Sequence, residues 1–237
     1  MRKFSIKKAR FISGCFLVLA VALVTAAYFS SEPISVTVSS KKDEPIYFGN
    51  RSSNKVALMF NCYEGTEIIK AISEELNKYG FKATFFFGGC FADDNAELLI
   101  FLAERGHEIA NHGYFHKEHS KLTYEENLNE IKRTNEIILA LSGVKANLFA
   151  PPSGDFSDQT LKACKNLGLK VIMWSKDTVD WRDKNQKTVY NRATQGISGG
   201  DFVLMHPKEH TLMALPAILE YYFNQGLTVS TVSDCME

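Results

Sequence analysis

The run "KVALMF", Lys55–Phe60, is continuously apolar after its first residue, and an amphipathic stretch follows it with Ile68, Ile69, Ile72 and Leu76 on one helical face and Gly80 as its stop. A strand without polar alternation is covered on both faces, and a helix directly after it makes the βα unit of a parallel sheet. The same rhythm repeats along the chain. "ATFFFGG" leads to a helix ended by Gly106, and "HEIAN" to one opened by the capping box Thr123 and Glu126. "NLFA", a helix before Gly168, "KVIMW", "DFVLM", a helix through Leu215 and Leu219, and "LTVSTV" complete the series. About seven parallel strands in roughly 180 residues predict an α/β fold, a deformed (β/α) barrel, with an open doubly wound sheet as the alternative.

Upstream, Arg2, Lys3, Lys7, Lys8 and Arg10 precede an uncharged apolar run from Phe11 to Phe29 that is long enough to cross a bilayer as a helix. The expected organisation is a cytoplasmic basic segment at 1–10, a transmembrane signal anchor at 11–29, a stalk at 30–54 rich in Ser, Pro, Lys and Asn, and a folded body at 55–237. The lipid bilayer is thus one partner, and the body faces out of the cell in a single-pass protein, or is secreted if the chain is cut near Ala26 and Ala27. Ile12-Ser13-Gly14-Cys15 looks like a lipoprotein cleavage box, but its apolar segment follows the cysteine, which argues against lipidation.

With 27 basic and 27 acidic residues the chain offers no electrostatic attraction to nucleic acid. A barrel of this size folds as a monomer. Cys62, Cys90, Cys164 and Cys235 form no CxxC pair; a Cys62–Cys90 bridge is conceivable, small buried thiols being the plainer reading.

In parallel α/β folds the loops after the strands converge on one mouth, where chemistry resides. Five successive exits here carry polar or special residues: Asn61 to Gly65; "NHGYFH" from Asn111 to His116; Ala150 to Gly154; Asp177, Asp180 and Trp181; and His206. His112 and His116, four apart, face one way on a helical turn and can share one metal ion. His107, His119 and His210 lie off that pattern and read as ordinary packed or surface side chains. Tyr63 and Tyr114 are candidates for a sugar-stacking platform, or for core.

From Asn54 to Val232 the order of these motifs resembles the polysaccharide deacetylase family, carbohydrate esterase family 4, through "GHEIANHGYFH", "APPSG" with Asp155-Phe156, "WSKDTVDW" and "LMHP". The resemblance implies removal of N-acetyl groups from a glycan by a metal-bound water. The family's motifs are T-F-D-D-G (base, then metal ligand), H-(S/T)-x-x-H (metal ligands), R-x-P-x-G (an arginine orienting the base), D-x-x-D-W and L-x-H (the general acid). Carried over, His112 and His116 are metal ligands with Gly113 replacing the hydroxyl residue. Pro152 and Gly154 keep the third loop, Asp180 and Trp181 the fourth motif, and His206 the acid. A carboxylate beside an imidazole favours the protonated ring that a general acid requires.

Asn61 stands in place of the base aspartate, Ala150 in place of the arginine, and the metal aspartate has no direct equivalent. The base half has gone as a unit, since the arginine's task disappears with the carboxylate. An amide accepts no proton at neutral pH, although its oxygen can coordinate a metal weakly. Glu64, on the same loop, could serve as third ligand or base. The reading favoured from sequence is a divalent-metal hydrolase, with Zn2+ preferred over Co2+ or Mn2+, acting on N-acetylated cell-envelope polysaccharide such as peptidoglycan. In it His206, Asp180 and Glu64 are catalytic, and Tyr63, Tyr114, Pro152 and Trp181 bind substrate. The alternatives are a membrane-tethered glycan-binding pseudoenzyme without the base, and an envelope protein with a vacant groove.

Overall fold

The computed structural model describes residues 44–237; the candidate anchor at 11–29 lies outside the described residues, as does most of the expected stalk. Strand β1 (Lys55–Cys62) is the centre of the sheet. On one side it pairs with β2 (Thr84–Phe87), followed by β3 (Glu108–Asn111), β4 (Leu148–Phe149) and β5 (Lys170–Val171). On the other side lie β7 (Phe202–Met205) and then β6 (Lys176–Asp177), while β8 (Thr228–Ser230) pairs with the first residues of β1. Every pairing is parallel. The helices are α1 (Thr66–Asn77), α2 (Gly89–Asp94), α3 (Ala96–Glu104), α4 (Tyr124–Ser142), α5 (Asp158–Leu167), α6 (Gln186–Thr194), α7 (Glu209–Asn224) and α8 (Val232–Met236). Among the described residues no helix is long and apolar enough to cross a membrane.

The two-residue period of β1 serves two cores at once. Val56, Leu58, Phe60 and Cys62 pack outward with Ile69 and Ile72 of α1 and Leu215 of α7. Ala57 and Met59 point inward, with Phe86, Ala110, Leu148, Ile172, Phe202 and Leu204. Curvature follows from a short bridge at the bottom of the sheet. Ile46 pairs with Ile172, just past β5, and Phe48 with Asp201, just before β7. The path from β5 through β1 to β7 has five inter-strand steps, which would span roughly 24 Å in a flat sheet, whereas two residues of extended chain reach only about 7 Å. The sheet is therefore rolled into an open half-barrel, and the doubly wound alternative is excluded.

Four expectations change. There are eight strands rather than about seven, because "KVIMW" holds only the two residues of β5 and the chain begins again as β6. The helix before Gly106 is two helices, broken at Asn95, and α6, capped by the Asn185 side chain, was not expected. The stalk also ends before Asn54. The Ile46 N–H donates to Val171 O at 2.9 Å, the Gly49 N–H to Gly200 O at 2.7 Å and the Asn50 N–H to Cys235 O at 2.7 Å, so residues 44–54 belong to the body. A Ser- and Asn-rich composition looks like linker, yet its backbone closes the barrel floor.

Candidate active site

The inward alternation that buries Ala57, Met59, Ala110, Leu148 and Leu204 continues to Asn61, near the end of β1, and past the other strands to His112, Ala150 and His206. The carboxyl ends of β1, β3, β4 and β7 thus bring four of the predicted motifs to one mouth. A cleft of about 550 Å³ opens there, with Asn61, Tyr63, Glu64, His112, His116, Trp181 and His206 in its wall. Ser153, Trp174, Asp177, Leu204, Pro207 and Lys208 also contribute.

Asp180 is fully buried behind His206. Its Oδ1 accepts the His206 Nδ1–H at 2.7 Å, and its Oδ2 accepts the His206 N–H and the Thr211 hydroxyl, both at 2.7 Å. The imidazole is thereby fixed with Nε2 as its free nitrogen. Burial alone would raise the Asp180 pKa, but the His206 bonds and charge outweigh it and hold the carboxyl below its ordinary value. Val179, just before it, takes φ 52°, a left-handed conformation rare for a β-branched residue. Its N–H donates to Asp177 Oδ1 at 2.7 Å, and Arg192 donates to Thr178 O at 3.0 Å, which pin the turn.

The histidine loop is held as firmly. His112 Nδ1 lies 2.7 Å from Ala150 O; a carbonyl only accepts, so Nδ1 carries the proton and Nε2 presents a lone pair. Burial pushes the His112 pKa down to about 3, so the ring is neutral. His116 has φ 54°, and its ring centre is 5.5 Å from that of His112. The Tyr63 hydroxyl donates to His112 O at 2.8 Å, and its ring meets His116 edge-on at 4.4 Å. Glu130 of α4 was not anticipated from sequence. Its Oε2 accepts the N–H groups of Tyr114 (3.1 Å) and Phe115 (2.8 Å), and Lys117 pairs with Oε1 at 2.9 Å. Glu130 lies in the buried stripe of α4 with Asn127, Ile131 and Thr134, where a charge needs partners.

The other carried-over positions differ. Asn61 is 5% exposed and its Oδ1 is buried without a hydrogen-bond partner. Glu64 lies at the rim, its side chain 65% exposed and ion-paired with Lys208. Cys62, next after Asn61, faces the helices and is buried among them. Tyr114 and Pro152 are both buried and do not line the cleft; Arg133 stacks 3.7 Å over the Tyr114 ring, which packs as core. Trp181 is 54% exposed at the cleft edge, and Trp174 joins it there. All four described cysteines are free. His107 bonds with Ser73 at 2.8 Å, His119 Nδ1–H donates to Asn127 Oδ1 at 2.6 Å while its Nε2 is buried without a partner, and His210 donates to Asp180 O at 2.7 Å.

Among the described residues no three His, Cys, Asp or Glu side chains gather to hold a metal ion. What the cleft offers such an ion is a set of neutral donors: the His112 lone pair, the His116 ring and the unpartnered Asn61 oxygen.

A parallel half-barrel with paired histidines at one exit and a carboxylate-held histidine at another defines a class of carbohydrate esterases. The polysaccharide deacetylase family profile matches residues 48–172, and the chain belongs to that family. It is 34% identical over 209 residues to the uncharacterized protein YlxY of Bacillus subtilis, covering 88% of this chain and 66% of that protein's length. It is 30% identical over 202 residues to the peptidoglycan-N-acetylmuramic acid deacetylase PdaA of the same organism, covering 83% of this chain and 76% of PdaA. Among solved structures, BA3943 of Bacillus anthracis, a pseudoenzyme of carbohydrate esterase family 4, superposes with a TM-score of 0.80 at 32% identity, over 82% of this chain and 69% of that one. A BA3943 mutant with restored enzymatic activity superposes at the same TM-score.

Proposed function

We propose that this protein binds N-acetylated cell-wall glycan as a pseudoenzyme of its family, holding the polysaccharide without removing its acetyl groups. The observation that carries this reading is an amide, Asn61, where the family pattern has its base. Glu64, the carboxylate of that loop, lies exposed at the rim against Lys208, and Asp177 in the cleft wall accepts the Val179 N–H. An amide abstracts no proton from water, and general acid-base catalysis contributes about 10²- to 10⁴-fold. The peptidoglycan substrate named for PdaA supplies the ligand class. An anchor at 11–29, part of the same proposal, would hold the cleft beside that polymer.

Direct binding tests the reading. N-acetylglucosamine oligomers titrated calorimetrically into the protein, with chelator present, are expected to bind, and Trp181→Ala to weaken them about three- to tenfold by removing an exposed stacking face. No heat of binding with any oligomer or with solubilised peptidoglycan would sink the proposal.

The retained Asp180–His206 pair favours a second reading, a metal-dependent deacetylase. His112 and His116 would hold the metal, which supplies Lewis-acid polarisation of the acetyl carbonyl. His206 would then protonate the departing amine from Nε2, with Asp180 fixing its ring, and Glu64 would have to leave Lys208 to act as base. Acetate release that disappears in Glu64→Gln would favour this reading.

A further inference from the structure

Three side chains able to donate a lone pair, those of Asn61, His112 and His116, line the same cleft. His112 commits its only N–H to Ala150 O, which leaves Nε2 as a lone pair. His116 stands beside it with ring centres 5.5 Å apart. Two imidazoles on one tetrahedral ion stand roughly 5 Å apart by the same measure, given metal–nitrogen bonds of about 2.0 Å. Asn61 Oδ1, on β1 and separated from β3 by β2, is buried and has no partner, although nearly all buried carbonyl oxygens have one. A cation held by the two rings would satisfy the Asn61 oxygen as well.

We propose that Asn61 has changed its part: standing where the family has its base, it is the third donor to a divalent ion shared with His112 and His116. Cys62, at the position after it, faces the helices and contributes nothing to the cleft. The donor set is two imidazoles and one amide oxygen, all neutral. Such a set prefers Zn2+ and Co2+ to Mn2+ or Mg2+, which seek carboxylate and water oxygens. It also binds more weakly than a set with a carboxylate, because no ligand charge offsets that of the ion. This assignment shares the cleft of the binding reading but needs neither glycan nor turnover, so the two fail separately.

The test is calorimetric titration of ZnCl2 into chelator-stripped full-chain protein. One zinc per chain is expected, with uptake abolished in the His112→Ala, His116→Ala double variant and Mn2+ unable to compete. Asn61→Leu keeps the volume and removes the oxygen, and it should weaken zinc about tenfold or more. Asn61→Asp adds a charge and should tighten it by a similar factor. The assignment is overturned if wild type takes up no zinc, or if Asn61→Leu binds as tightly as wild type, the result expected if Oδ1 meets only a water. Should Asn61→Leu fail to fold, Asn61→Asp decides: affinity no higher than wild type removes Asn61 from the ligand set.

Discussion

Asp180 has no exposed surface, and three donors meet its two oxygens. Its depressed pKa makes a linkage prediction with a definite sign. Stability from this carboxylate is complete above its ordinary value of 3.8 and is lost as pH falls through the lower folded-state value. Melting curves taken from about pH 5 down to about pH 2 should therefore fall more steeply for wild type than for Asp180→Asn, which at neutral pH is already less stable by about 1.5–3 kcal/mol. Equal slopes would mean that the carboxylate is not held by His206. At this scale the sequence was readable wherever a side chain follows strand alternation, as Asn61, His112 and His206 do. It was not readable for Tyr114 and Pro152, because a loop position does not say which way its side chain turns.

The loop from Asn111 to Lys117 is an element held together by α4. Glu130→Ala leaves the N–H groups of Tyr114 and Phe115 without their acceptor, an expected loss of about 1.5–3 kcal/mol in urea denaturation, with Glu130→Gln recovering part of it. A loss no larger than that of an exposed α4 substitution would contradict the anchoring role. The start of the same helix shows both halves of the predicted capping box: Thr123 Oγ1 accepts the Glu126 N–H, and Glu126 accepts the Thr123 N–H. Thr123→Ala should cost about 1 kcal/mol. Caps are legible because three or four residues suffice to make them. Glu130 was not, because its partners lie 15 and 16 residues earlier and meet it only once β3 and α4 have packed.

The alternation of apolar strand and amphipathic helix revealed the barrel class, but not where the barrel begins, since its floor is closed by backbone hydrogen bonds that composition does not encode. Arg51 also reaches the buried Asp201 at 2.6 Å. A chain starting at Lys55 should accordingly melt lower than one starting at Glu44, by more than the few degrees that about 1 kcal/mol produces in a domain of this size. Equal melting temperatures would show that residues 44–54 contribute nothing to closure. The proposed function is likewise a property of the whole cleft: His206 held by Asp180, the His112–His116 pair, and an amide at Asn61. The most direct test is acetate release from N-acetylglucosamine oligomers and peptidoglycan, with zinc or cobalt added, by wild type and by Asn61→Asp. A pseudoenzyme that lacks only its base half gives no release as wild type and measurable release once the carboxylate returns. Release by the wild type, lost in the double histidine variant, would contradict the account, because the cleft would then be hydrolysing its glycan with an amide in place of the base.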